Sequence, residues 1–156
     1  MLMQKIMINR VFGLALILCI SISAVFAQDV EFDRATVQLE SEQFSMQLNV
    51  EYAQTFEQRA QGLMYRESMC ENCGMLFEYS HARIASMWMK NTLLPLDVAF
   101  VDKDGIITDI IAMQPHDLTS VRSSKEVLYA LEMNQGWFTK QGFKVGDTMR
   151  VVNEVQ

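Results

Sequence analysis

Val98-Ala99-Phe100-Val101-Asp102-Lys103-Asp104-Gly105-Ile106-Ile107-Thr108-Asp109-Ile110-Ile111 sets two apolar runs on either side of a four-residue polar break. Residues of the β-branched and aromatic kinds suit a pleated strand. The Asp-Lys-Asp-Gly break is a turn in which Gly105 supplies a positive φ. The stretch therefore predicts a hairpin. A calcium loop is the other reading of Asp102 and Asp104, but the further ligand positions of such a loop are missing.

Working outward, the same period of two recurs. Phe44, Met46, Leu48 and Val50 alternate with Ser45, Gln47 and Asn49, which predicts a half-buried strand, and Thr36 to Glu40 predicts a shorter one before it. Gly74 to Tyr79, Ser86 to Met89, Leu96 to Val101, Val127 to Met133 and Thr148 to Val152 are the remaining strand segments. Thr55-Phe56-Glu57-Gln58 has the form of a capping box, and Phe56, Ala60, Leu63 and Met64 follow at helical spacing to about Met64. Trp137 to Gln141, closed by Gly142, predicts a second short helix. No repeat, low-complexity tract or linker interrupts the pattern. The fold expected is mainly β: a compact antiparallel β-sandwich or barrel-like domain with one or two short α-helices.

Residues 1–27 read as an export signal, and residues 28–156 as the single folded domain. Lys5 and Arg10 precede the short apolar run Val11 to Ile22, and Val25-Phe26-Ala27 places small residues before a cleavage point at Gln28. The run is shorter than a spanning helix needs, so no stable membrane insertion is expected after cleavage, and the periplasm is the expected compartment. Cleavage removes Lys5 and Arg10, making the remainder two charges more acidic than the full chain's −6. Such a balance gives no electrostatic footprint for nucleic acid. A chain of this length buries a core without help from a metal.

Between Arg59 and Asp97, hydrophilic side chains stand among large apolar ones. Arg59, Arg66, Lys90, Asn91 and Asp97 must pair with one another, hold a ligand, or lie at the surface. Two readings stay open. Asp97, with Arg66 and Lys90 as cations and Asn91 as a further donor, would fasten helix to sheet as an ion-pair network. Alternatively Arg66 and Lys90 face an anionic or carbonyl-bearing ligand, oriented by Asp97, with Trp88, Met64 and Phe77 as walls. Glu132, a charged residue in an apolar strand, would complete either arrangement.

Cys70-x-x-Cys73 are the cysteines left once a signal carrying Cys19 is removed, and an oxidising compartment makes a disulfide the expected state. A thiol catalyst would want cations nearby, whereas Glu67 and Glu71 are the neighbours. Soft-metal binding is the alternative: Cys70 and Cys73, with Met69 and Met75, form a set suited to copper(I). Methionine is equally a gap-filler in cores. His81 and His116 lack the paired spacing of a zinc site. His116, in Gln114-Pro115-His116-Asp117, stands in a loop that would be a surface turn or a site edge, where it or Asp97 would act as the base of a small hydrolase or lyase. No cofactor is expected.

Arg59-x-x-Gly62-Leu63-Met64-x-Arg66, then Gly74-Met75-Leu76-Phe77, then Trp88-Met89-Lys90-Asn91-Thr92-x-x-Pro95-Leu96-Asp97 resembles the signature of the bacterial and archaeal family DUF192 (domain of unknown function 192). Leu131-Glu132-x-Asn134-x-Gly136 and Gly142-x-x-x-Gly146-Asp147 extend the likeness, from about Gln43 to Val152. The Cys70-to-Cys73 insert lies outside that pattern. The resemblance implies one small β-rich domain, often exported, with no established activity to carry over. Together these readings give an exported binding or accessory protein, acting on a small molecule or a periplasmic partner. The runner-up is a copper(I) or thiol-redox factor.

Overall fold

The computed structural model describes residues 30–155, so the export signal and Cys19 lie outside the described residues. Seven strands and two helices follow in the order β1 (Asp33–Glu40), β2 (Ser45–Ala53), α1 (Phe56–Gln61), β3 (Gly74–Met87), β4 (Leu96–Val101), β5 (Ile107–Met113), β6 (Val121–Asn134), α2 (Trp137–Gln141) and β7 (Thr148–Val155). They form one sheet in the order β5-β4-β6-β3-β2-β1-β7. Neighbours are antiparallel except β2 and β3, which run parallel because the chain crosses over through α1 between them.

The sheet curls until its two edge strands meet at one corner. Ile106 bridges Thr148, the Met149 N–H donates to the Gly105 carbonyl at 2.8 Å, and the Ile107 N–H donates to the Asp147 carbonyl at 2.9 Å. The result is a half-barrel. Gly105 is required there twice over: its φ is 82°, and a Cβ would come within 2.7 Å of the Met149 carbonyl oxygen. The Asp102 carboxylate accepts the N–H groups of Asp104 and Ile106, at 3.0 and 2.9 Å, so it serves the turn.

Alternation along the strands divides the apolar residues into two cores. Val37, Val50, Leu131 and Met133 point inside the curl, where Trp137 and Phe138 of α2 fill the space. Met75, Phe77, Val98, Phe100 and Ala130 point outward, and are covered by Leu63 after α1 and by Met89 and Leu94 before β4. β4 is consequently buried along its whole length. Fully burying each such side chain is worth about 1.5–3 kcal/mol.

Two segments expected to be separate strands, Gly74 to Tyr79 and Ser86 to Met89, meet in the single fourteen-residue strand β3, which ends at Met87 and leaves Trp88 and Met89 outside it. The polar gap between them sits where the pairing with β6 loses register, between Glu78 and Arg83 and again between Ile84 and Ser86. Such bulges re-aim a strand without ending it. Helix α1 starts as expected: the Gln58 N–H donates to Thr55 Oγ1 at 3.1 Å and the Thr55 N–H to Gln58 Oε1 at 2.9 Å. It stops at Gln61, earlier than its apolar spacing suggested, because Gly62 turns to a φ of 49°.

Candidate functional site

The hydrophilic residues of the Arg59-to-Asp97 block do not form one network. Arg66 pairs with Glu51, Nη2 to Oε2 at 2.6 Å, and its guanidinium lies 5.8 Å from the Phe32 ring centroid. Asn91 Nδ2 donates to the Tyr65 hydroxyl at 2.7 Å, while the Tyr65 N–H donates to the Asn91 carbonyl at 2.8 Å. These bonds tie the turn after α1 to the loop before β4, and both residues hold positive φ to make them. Lys90 is exposed, its ammonium 5.4 Å from the Trp88 ring centroid.

Asp97 departs most from its expected role. It is buried, and its Oδ2 accepts the Gly136 N–H at 2.8 Å, holding the entry to α2. Asp97 pairs with Met133 and Val98 with Glu132 across β4 and β6. Period-two alternation therefore puts Asp97 on the inner face and Glu132 on the outer one. Asp97 cannot orient the cations of the outer face. The physical reason is the pleat, which separates side chains that the strand pairing brings close.

Glu132 and Trp88 do come together. Both line a cleft of about 80 Å³ between α1 and the outer half of β3, along with Arg59, Phe77, Ser86 and Thr92. Glu132 is only 4% exposed, and among the described residues its carboxyl makes no hydrogen bond. Burial alone pushes its pKa from 4.5 to about 8, so at neutral pH it is a protonated acid with a proton to donate. Trp88 is half exposed at the mouth. An adjoining cleft of about 260 Å³ shares Arg59, Phe77, Ser86 and Met87 and adds Phe56, Tyr79 and Arg83.

Arg59 is positioned by backbone on both sides: its Nη1 donates to the Gln54 carbonyl and, at 3.0 Å, to the Glu78 carbonyl. Its Nε and Nη2 make no hydrogen bond among the described residues. Tyr79 donates its hydroxyl to Met87 Sδ at 3.3 Å. Burial raises its pKa to about 12, Glu132 adds to the rise, and Arg83 and Arg59 oppose it. Sequence reasoning passed over Tyr79, Arg83, Ser86 and Thr92. Tyr79 was findable, since two residues after Phe77 a strand returns to the same face.

Cys70 and Cys73 form a disulfide. Their loop is fastened to the start of α2: Asn134 Nδ2 donates to the Cys70 carbonyl at 2.9 Å, Trp137 Nε1 donates to Asn72 Oδ1 at 3.0 Å, and Lys140 pairs with Glu71. Met75 is wholly buried and packs in the outer core, against which Met69 also lies. Among the described residues no three His, Cys, Asp or Glu side chains are grouped to hold a metal. His116 is exposed, and its N–H donates to the Thr92 carbonyl at 3.1 Å, which ties its loop to the one before β4.

The chain is similar to several solved structures. One is described as a putative transcription regulator from Sinorhizobium meliloti 1021: 38% identity, TM-score 0.76, covering 79% of this chain and 97% of that one. Another is a protein of unknown function from Novosphingobium aromaticivorans: 30% identity, TM-score 0.72, covering 75% of this chain and 84% of that one. No curated protein matches the chain. The model of the uncharacterized ACR family DUF192 matches residues 37–151, and it is to this family that the chain belongs.

Proposed function

We propose that the protein is a binding protein whose ligand enters the cleft between α1 and the outer half of β3. One observation carries this reading: Glu132 lies buried on the cleft lining with no hydrogen-bond partner among the described residues. A ligand offering an oxygen to that carboxyl would accept the hydrogen bond its proton is free to donate. The walls set apolar side chains (Leu63, Phe77, Trp88) beside convergent polar ones (Arg59, Ser86, Thr92). Of the residues expected at the site, Trp88, Met64, Phe77 and Glu132 line this cleft, and Lys90 stands over Trp88 at its rim.

The experiment is a fragment screen by nuclear magnetic resonance, following the Trp88 indole N–H and the Ser86 amide. Fragments that shift both, and fail to do so in Glu132→Leu, support a ligand site. If no fragment at millimolar concentration perturbs either signal, the cleft is a packing defect and the reading falls.

The regulator role ascribed to the Sinorhizobium protein finds little support in this chain. A net charge of −6 repels nucleic acid, and helices of six and five residues are short for reading a groove. Export to the periplasm is part of the same proposal. It is supported by the signal-like residues 1–27 and by the Cys70–Cys73 disulfide, a bond that persists in oxidising compartments. Fractionation with N-terminal sequencing tests it: a mature chain beginning at Gln28 is expected, and a cytoplasmic chain retaining Met1 would reject it.

A further inference from the structure

Resting on the cleft as a ligand site, the arrangement of its polar groups narrows the ligand's chemistry. We propose that the cleft takes a short oxo- or hydroxycarboxylate, its carboxylate on the Nε–Nη2 edge of Arg59 and its oxo or hydroxyl oxygen on the Glu132 carboxyl. Arg59 is the reason for the carboxylate. Its Nη1 is spent on the carbonyls of Gln54 and Glu78, which fixes the guanidinium between α1 and β3. The opposite edge is left with two parallel donors, the fork that receives a carboxylate in bidentate fashion.

Glu132 is the reason for the second oxygen. A buried carboxyl held in its neutral form donates one hydrogen bond and repels no anion. An ionised carboxylate at that place would exclude the ligand. The charged and titratable groups facing the cleft are Arg59 from α1, Tyr79 and Arg83 from β3, and Lys90 beyond Trp88. Three of these are cations, and Tyr79 stays neutral to about pH 12, so the rim attracts anions throughout the working range. The size limit comes from the inner cleft: about 80 Å³ admits only a few water-sized groups, while a longer tail would run into the adjoining cleft beside Phe56.

The test titrates the wild-type protein at pH 6.5 with pyruvate and lactate, which carry both functions. Propionate lacks the second oxygen and acetone lacks the carboxylate. Pyruvate or lactate is expected to bind at least tenfold more tightly than either control. Binding should fall at least tenfold in Arg59→Gln, in Glu132→Leu, and at pH 9.5. Arg59→Lys keeps the charge and loses the fork, so it decides the matter if Arg59→Gln does not fold. Propionate binding as tightly as pyruvate, or Arg59→Lys binding like wild type, overturns the inference while leaving the cleft a ligand site. A Trp88 indole that shifts only with amines or neutral fragments overturns it in the same way. If no compound of any class shifts that signal, the inference and the binding reading fail together.

Discussion

Replacing Glu132 by glutamine measures what its buried carboxyl costs the fold. The wild-type pKa is about 8 in the folded chain against an ordinary 4.5. A raised pKa means that the folded protein keeps a proton which the unfolded chain releases between those two values. Stability is therefore full below pH 4.5, declines as pH rises toward 8, and is flat beyond. At roughly 1.4 kcal/mol per pH unit, the whole interval is worth on the order of 5 kcal/mol. Water entering the open cleft when the group ionises brings the expected loss down to on the order of 3 kcal/mol. Glutamine cannot ionise, so the variant escapes that decline. Urea unfolding with the disulfide intact should find the two proteins within about 1 kcal/mol at pH 5. At pH 9 the variant should be the more stable by about 3 kcal/mol. Other groups titrate in both proteins, so they cancel in the difference. An offset that is the same at pH 5 and pH 9 would refute the reasoning, because it would mean that Glu132 ionises as freely folded as unfolded.

Gly74→Ala should destabilise by about 3 kcal/mol in thermal unfolding, because a Cβ there would stand 2.3 Å from Met133 Sδ and 2.4 Å from the Glu132 carbonyl oxygen. Asp97→Ala leaves the Gly136 N–H without its acceptor. A loss of about 1–3 kcal/mol is expected, mostly recovered in Asp97→Asn, and a neutral Asp97→Ala would contradict the capping role. The Cys70→Ser/Cys73→Ser double variant should stay folded and lose about 2 kcal/mol at most, since the bridged loop spans a sequence separation of only three. Its Trp137 fluorescence should change as the bond to Asn72 loosens, and global unfolding would show that the loop matters more than its length implies.

The hairpin at Asp102–Gly105, the capping box at Thr55, and the helix ending at Gly142 were legible because each is local. A few neighbouring side chains decide them. Strand β4 was legible to the residue because turn chemistry and a proline bracket its apolar run. The continuity of β3 was hidden. Its middle is polar, and only the bulged pairing with β6 carries the strand through it. The site was half legible for a similar reason. Glu132 stood out as a charge among apolar neighbours, but which face it takes depends on strand register, which no short stretch reveals. Asp97 looked like its partner because both interrupt apolar runs, yet the pleat points them to opposite sides. The free edge of Arg59 depends on two carbonyls brought together by the crossover, contacts that no spacing in the chain announces.

Strand β1 is flanked by β2, which follows it directly, and by β7, which comes last: Thr36 faces Asn49 on one side and Asn153 on the other. The opening strand must therefore wait, with one row of amides unshielded, until the segment from Thr148 is free to pair with it. Release of a fragment ending before Thr148 would leave that row exposed for good, a natural seed for aggregation and a mark for proteases. Docking of β7 is thus the event that closes the last open edge of β1.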